Sequence, residues 1–108
     1  MPRFTVVATD LFEDDLDAAV AYYLGSAGVS SARSLLDEYD AMCGLLAELP
    51  GYGANVYGTP YSWRPLERFV AVYEVDEDGC IVTLLRPFHM SSDWRGHLLG
   101  PQASIDDQ

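Results

Sequence analysis

Arg68-Phe-Val-Ala-Val-Tyr-Glu-Val-Asp-Glu-Asp-Gly-Cys-Ile-Val-Thr-Leu-Leu-Arg-Pro-Phe-His89 is the stretch on which the fold turns. It reads as two β-strands, Phe69 to Val75 and Cys80 to Arg86, joined as an antiparallel hairpin by the acidic, glycine-containing turn Asp76 to Gly79. Apolar residues fill both faces of the second strand, which places it inside a sheet rather than at an edge. Arg86 and His89 then fall where the chain leaves that sheet, so a guanidinium and an imidazole are delivered to its rim.

Working outward, Phe4 to Ala8 is apolar and partly β-branched, a first strand. Thr9 or Asp10 can cap a helix behind it, and the acids that follow suit the positive end of the helix dipole. Phe12, Leu16, Ala19, Val20, Tyr23 and Leu24 recur at helical spacing, and Gly25 and Gly28 are expected to end the helix. A second helix is expected from Ser30 or Ser31 to Leu49, with Leu35, Tyr39, Met42, Leu46 and Leu49 as its buried stripe, widened by Leu36 and Cys43. Pro50-Gly51 stops it, and the short turn makes the two helices an antiparallel hairpin. Gly51 to Pro60 is a glycine-rich loop, and Tyr61 to Leu66 a strand whose Pro65 marks an edge or bulge. Ser91 or Ser92 can cap a last short helix reaching Leu99, which Gly100-Pro101 terminates. The expected architecture is α+β: β-α-α-β-β-β, with a helical hairpin packed on one face of a small antiparallel sheet and a short C-terminal helix. One domain over 4–99 and a polar tail over 100–108 account for the 108 residues.

The charge balance restricts function. There are 17 acidic residues against six basic ones, all six arginine, and the net charge is -11. Such a surface repels duplex DNA, whose binding relies on Lys and Arg neutralising phosphates. No basic residue stands between Phe4 and Ala32, whereas Arg64, Arg68, Arg86 and Arg95 cluster in the C-terminal half, so any cationic site is there. No apolar run reaches membrane-spanning length and no signal-peptide pattern opens the chain, so a soluble, cytoplasmic protein is expected. Cys43 and Cys80 form no CxxC pair and read as buried, reduced thiols.

Four motifs occur in order along the chain: Ala-Thr-Asp-x-x-x-Asp-Asp-Leu with Tyr-Tyr-Leu in Ala8 to Leu24, Leu-Ala-Glu-Leu-Pro-Gly in Leu46 to Gly51, an aromatic-x-x-x-Tyr-x-Val-acidic core in Phe69 to Asp76, and Val-Thr-Leu-Leu-Arg-Pro-Phe-His followed by Asp93 and His97-Leu98. In this order they resemble the RelE/ParE superfamily of toxins from bacterial type II toxin–antitoxin systems. The resemblance implies a small plasmid-stabilisation-type toxin neutralised by a cognate antitoxin, whose disordered segment folds along the helices and sheet edge. It also implies one of two activities. RelE-like members cleave mRNA on the ribosome with basic and aromatic side chains, whereas ParE-like members poison DNA gyrase and have no established hydrolytic site. The chain departs from the RelE-like pattern at Val70, where those nucleases favour arginine, and at Met90-Ser91-Ser92, where many carry an arginine pair. It also lacks their lysines, and phosphoryl chemistry needs such cations to stabilise developing charge. The ParE-like reading, inhibition of DNA gyrase, is therefore preferred over a ribosome-dependent endoribonuclease. A degenerate, non-toxic member that only binds its partner is the third alternative.

On that reading the target-binding residues are Arg64, Arg68, Arg86, His89, Trp94 and Arg95, and a nuclease would use Arg64, Arg68, Arg86 and His89. Each has an ordinary structural role to set against this. Arg86 can pair with Glu74 or a neighbouring acid, His89 can simply be hydrogen-bonded at a strand end, and Glu67 can neutralise Arg64 or Arg68. Tyr52, Tyr57, Tyr61 and Trp63 offer a stacking surface or pack the loop. His89, Asp93 and His97 are spaced by four and four, but a helix starting after His89 would not align them, so no metal is expected. The acids Asp10 to Asp17 lack the ligand order and glycine of a calcium loop, and no cofactor is implied.

Overall fold

The computed structural model describes residues 3–98. Strand β1 (Thr5–Ala8) leads into helix α1 (Asp10–Ser26) and helix α2 (Val29–Glu48). Strands β2 (Ala54–Asn55), β3 (Tyr61–Leu66), β4 (Phe69–Asp76) and β5 (Ile81–His89) follow, with a helical turn over 94–98. The sheet order is β1-β5-β4-β3-β2. The apolar second strand of the hairpin is thus internal, as its two-faced pattern requires. The sheet is mixed, not wholly antiparallel, because β1 lies parallel to β5 from Thr5↔Ile81 to Ala8↔Leu84. The two-residue β2, paired with Ser62 and Trp63, lies in the segment expected to be loop. Both the end of the last helix at Leu99 and the tail 100–108 fall outside the described residues.

Thr9 joins β1 to α1. Its Oγ1 accepts from the Phe12 amide at 3.0 Å and donates to the Leu85 carbonyl at 2.9 Å, while its own amide donates to the Leu84 carbonyl at 3.0 Å. The expected cap is therefore real, and it also anchors the helix to β5. The anchor point is irregular: Tyr73 pairs with Leu84 but Val72 with Arg86, so Leu85 is an extra, bulged residue.

Several boundaries differ from expectation for local reasons. α1 continues through Gly25 to Ser26, and α2 starts at Val29 with Gly28 as its N-cap. Gly28 has φ 94, which lets the chain reverse tightly, so no serine cap is used and Ser31 Oγ instead donates back to the Ala27 carbonyl. The α2 stripe ends at Leu46, since Leu49, like Leu36 and the α1 residue Leu24, is exposed. Cys80 belongs to the hairpin turn with φ 56, so β5 begins one residue later, at Ile81.

Two apolar clusters cover the two faces of the sheet. On one, Phe12, Leu16 and Tyr23 of α1 and Leu35, Met42 and Leu46 of α2 meet Leu66, Ala71, Tyr73, Val82 and Leu84. On the other, Val56, Val70, Val72 and Trp94 are buried with Tyr61, Trp63, Leu85, Phe88 and Leu98 around them. This explains why Val70, Ala71, Val72 and Tyr73 are all buried in succession. Each fully buried side chain of this size contributes roughly 1.5–3 kcal/mol through removal of apolar area from water. Tyr73 also pins the loop after α2: its hydroxyl donates to the Pro50 carbonyl at 3.2 Å and accepts from the Gly53 amide at 2.9 Å. Gly53 is fitted so closely there that a Cβ would meet the Tyr73 hydroxyl and, at 2.6 Å, the Trp63 carbonyl.

Both open edges of the sheet carry a proline where the neighbouring strand ends. Pro65 lies beyond the reach of β2, and Pro87 beyond the reach of β1. The Met90 amide donates to Arg68 across the end of the β4–β5 pair, which places the nitrogen of Pro87, in a non-hydrogen-bonded pair with Ala71, on the open side. Neither proline costs a ladder bond, and each blunts its edge against strand addition.

Thr9→Ala should lower unfolding stability by about 1–2 kcal/mol, the cost of a lost N-cap combined with loss of a donor to the bulged strand. Thr9→Ser should recover most of it, because the hydroxyl returns. Urea unfolding of the three chains measures this, and equal stability of the alanine and native chains would show that the hydroxyl does not hold the helix to the sheet.

Candidate functional site

The six candidate side chains do not form one patch. Arg64 is paired with Ala71, whose side chain lies on the helical face, and Arg86 with Val72, on the opposite face. Residues directly across an antiparallel pair share a face, so the two arginines point to opposite sides of the sheet from strands about 10 Å apart. Arg64 lies under the loop, its guanidinium carbon 4.1 Å from the centroid of the Tyr52 ring, and its Nε is buried without a hydrogen-bond partner. The ring face offsets part of that desolvation. Arg86 reaches around the open edge of β5, with Nε 3.7 Å from Asp15 Oδ2 and its guanidinium carbon 5.1 Å from the Phe88 ring. Its acid is thus on α1, rather than the Glu74 considered from the sequence. With both side chains partly exposed and the distance long, such a pair contributes less than about 1 kcal/mol.

Trp94 and Arg95 belong to the second face. Trp94 is 4% exposed, tilted against Trp63 at 5.4 Å, and so is core. Arg95 is the surface group here, its guanidinium carbon 4.2 Å from the Trp94 ring and 5.4 Å from the Trp63 ring. Of the loop aromatics, Tyr57 is 96% exposed and touches none of these groups. The helical turn is capped by Asp93, whose Oδ1 accepts from the Gly96 amide at 3.2 Å, and not by the serines. Ser92 Oγ instead donates to the His89 carbonyl at 2.6 Å. His89 ends β5 while His97 lies in the turn, so His89, Asp93 and His97 share no helix. No group of three or more potential metal ligands occurs among the described residues.

His89 and Arg68 do come together, at a groove between α1 and the ends of β4 and β5. It has a volume of about 430 Å³ and is lined also by Asp15, Ala18, Tyr22, Tyr23, Phe69 and Pro87. The register Phe69↔His89 turns the imidazole to the helical face, edge-on to the Phe69 ring at 5.7 Å. Ser91 fixes the ring: its amide donates to Nδ1 at 3.2 Å and its hydroxyl lies 2.7 Å from the same atom. Nδ1 is therefore an acceptor, and the neutral ring carries its proton on Nε2. Among the described residues no carboxylate hydrogen-bonds to this histidine, so it has the partners of a positioned hydrogen-bonding group rather than of a general base. The sequence reading did not single out Tyr22 or Pro87. Tyr22 lies off the apolar stripe of α1, next to buried Tyr23, and that offset is the signal that a large ring faces outward.

A family model described as the ParE toxin of the type II toxin–antitoxin system parDE matches residues 6–94, which include both helices, strands β2 to β5 and all of β1 but Thr5. The chain belongs to this ParE toxin family. Solved structures agree at the level of fold. A chain of the chromosomal ParDE toxin–antitoxin system from P. aeruginosa superposes with a TM-score of 0.69 at 20% identity, covering 84% of this chain and 100% of that one. The archaeal RelE–RelB complex from Pyrococcus horikoshii OT3 gives 0.57 at 15% identity, over 84% of this chain and 98% of that one. The RelBE2 toxin–antitoxin complex from Mycobacterium tuberculosis gives 0.50 at 16% identity, over 85% and 97%. No curated protein sequence matches significantly. Among the described residues no helix is long and apolar enough to cross a membrane.

Within this ParE fold, Tyr39, Cys43 and Tyr73 lie in or against the core and are shifted by burial. Burial raises the Tyr39 phenol strongly, with the Cys43 thiol one turn away adding to it. Burial likewise raises Cys43, offset in part by its interaction with Tyr39, and raises Tyr73, offset in part by the Gly53 amide. The unfolded chain releases these protons near the ordinary values of 9.0 for the thiol and 10.0 for the phenols, whereas the folded chain retains them. The folded state then binds more protons, so stability falls as pH rises past those values and is unaffected below them. Tyr39→Phe should flatten this alkaline loss while changing the pH dependence near neutrality little. Urea midpoints over a pH series measure it, and an unchanged alkaline slope would remove Tyr39 as its source.

Proposed function

We propose that this ParE-family toxin acts by binding and inhibiting DNA gyrase, without catalysis, and that a cognate antitoxin neutralises it. The observation that carries this reading is the separation of Arg64 and Arg86 onto opposite faces of the sheet, with Arg86 engaged by Asp15. Phosphodiester cleavage needs cations converging on one phosphate, at near hydrogen-bonding distance from both the attacking and leaving oxygens. Two guanidiniums divided by a packed sheet do not converge. His89 has a serine rather than a carboxylate as its partner, which favours recognition over proton transfer. The cationic side chains are distributed as separate contact points: Arg68 and His89 at the groove, Arg95 on the tryptophan face, Arg86 on the edge between them. Such a distribution suits a protein partner contacted on several sides.

The match to a ParE family model and the likeness to a ParDE chain support the same reading and the same partner class. The similar RelE–RelB and RelBE2 structures, both toxin–antitoxin complexes, supply the precedent for an antitoxin. The ordering of a disordered antitoxin segment would bury the large side chains that the helices leave exposed, among them Tyr22, Leu24, Val29 and Leu36.

Induced expression in a bacterial host, with growth, nucleoid morphology and mRNA integrity followed together, tests this function. Growth arrest with filamentation, DNA damage and intact mRNA is expected. Rapid loss of translated mRNA would replace the proposal with ribosome-dependent cleavage, and Arg86→Ala should then abolish the loss. Normal growth at confirmed soluble expression would mark a member that retains only partner binding.

A further inference from the structure

The turn between β2 and β3 is firmly held, yet it carries a tyrosine that the fold does not use. The Thr59 amide donates to the Val56 carbonyl at 3.0 Å and closes a β-turn with Tyr57 and Gly58 at its corners. Gly58 has φ 80, the positive value that a type II turn demands at its third position. Tyr57 is 96% exposed. We propose that Tyr57 is a preformed anchor for the target, a rigidly placed ring that enters an apolar, basic-rimmed pocket on folded gyrase. The proposal rests on the gyrase reading above and adds the place and chemistry of the contact.

Three observations select this partner. The first is rigidity. The Asn55 side-chain amide donates to the Thr59 carbonyl at 3.2 Å and to the Tyr61 carbonyl at 2.9 Å. Thr59 Oγ1 donates to the Val56 carbonyl at 2.7 Å and accepts from the Tyr61 amide at 3.1 Å. Val56, 4% exposed, roots the turn in the cluster that contains Trp63 and Trp94. None of these bonds uses the Tyr57 side chain, so the network fixes where the ring stands without covering it. A tyrosine held in this way has little beyond its two side-chain torsions left to lose on contact.

The second is shape. A ring at the tip of a turn is convex, so its receptor must already be concave. A folded protein offers such a pocket, whereas a disordered antitoxin segment has none until it folds. The third is charge. The register Tyr61↔Glu74 puts the turn at the end of the sheet where β4 passes into the acidic turn Asp76 to Gly79. Asp76, Glu77 and Asp78 are exposed there, and no basic residue stands at 34–63 or 69–85. Arg3, ahead of β1 at the far edge of the sheet, is paired with Glu48 at 3.3 Å. These surroundings complement a basic rim and repel a second copy of a chain whose net charge is -11. Arg68 and His89 lie at the opposite end, where Phe69 pairs with Leu66 and His89, so this contact is separate from the groove.

The experiment measures binding of the full 108-residue chain to immobilised, purified gyrase tetramer by biolayer interferometry. Tyr57→Ala should weaken binding by about thirtyfold or more, the loss expected of an aromatic anchor, chiefly through faster dissociation. Tyr57→Phe should keep most of the affinity, because the ring remains. Asn55→Ala removes two of the bonds that hold the turn and should give an intermediate loss with the ring still present. Glu77→Lys combined with Asp78→Lys should slow association by about tenfold at low salt and leave dissociation little changed. The Tyr57 side chain is exposed, and unchanged thermal unfolding of its variants confirms that the fold is kept.

Native-strength binding by Tyr57→Ala would overturn the proposal and leave gyrase inhibition standing. Failure of the native chain to bind gyrase would overturn both, so the two failures are told apart by the native chain alone. Self-association of the native chain that Tyr57→Ala abolishes, followed by light scattering, would also overturn the proposal and assign the turn to a second copy of this chain. Faster association of the Glu77→Lys, Asp78→Lys chain would reverse the sign of the rim and overturn the basic pocket.

Discussion

The hydrogen bonds of Thr9 are the constraint on which the rest of the molecule depends. One hydroxyl closes the first turn of α1 and holds the bulged carbonyl of Leu85, so the strand that begins the chain must end there and the helix must start there. β1 therefore covers β5 only as far as Leu84. Beyond that point α1, not another strand, accompanies the edge of β5. The space between the helix and the strand ends is the groove that holds Arg68 and His89. A longer β1 would have paired with Arg86 to His89 and filled it. The cap thus acts at two levels, fixing a helix terminus and leaving a surface open.

Covering both sheet faces has its own consequence for function. A small sheet with a helical hairpin on one side often leaves the other side to solvent, where an interleaved row of basic and aromatic residues could accumulate. Here the turn over 94–98 and Trp63, Phe88 and Trp94 occupy that side, and Arg95 is stacked over the tryptophans. Cationic groups are consequently displaced to the margins. The same packing that buries Val70 to Tyr73 of β4 on both faces prevents the arginines from converging. A shared fold can thus support cutting or only gripping, depending on which side chains the sheet faces are given over to.

The sequence was most informative where periodicity is long and burial is one-sided or complete. The apolar pattern of Ile81 to Leu85 told that β5 is internal, and the Phe12, Leu16, Ala19, Tyr23 stripe told which face of α1 is buried. The Thr9 cap was legible because hydroxyl acceptors ahead of an acidic first turn are strongly patterned. What was not legible depends on backbone geometry that side-chain identity does not encode. The direction of β1 beside β5, the bulge at Leu85 and the left-handed turn at Cys80 are of this kind. The bulge mattered most. It sets which face each residue of Arg86 to His89 occupies, turning His89 to the helical face and Arg86 to the other; that the two differ follows from plain alternation, since they are three apart in sequence. Reading four arginines from one half of the chain as one candidate patch overlooked that alternation. Trp94 was similarly ambiguous, since an aromatic next to an arginine describes a contact surface and a buried lid equally well.

Net charge and local charge act over different distances, and this chain separates them. At physiological ionic strength fields decay over about 8 Å, so a partner approaching from farther away meets little more than the sum of nearby exposed charges. On the outer helical surface those charges are Asp10, Glu13, Asp14 and Asp17, all exposed, together with Asp37, Glu38 and Asp40 of α2. They favour encounter with basic partners and keep polyanions such as RNA away. A few ångströms inside, at the groove, Arg68 and the oriented donor of His89 offer the opposite sign, with the one acid there, Asp15, paired to Arg86. A partner segment with basic residues at its ends and a carboxylate amid its apolar face would satisfy both ranges at once, whereas a uniformly basic or uniformly acidic one would satisfy only one. Selectivity on this molecule would then come from the order of charges along the partner, not from their sum.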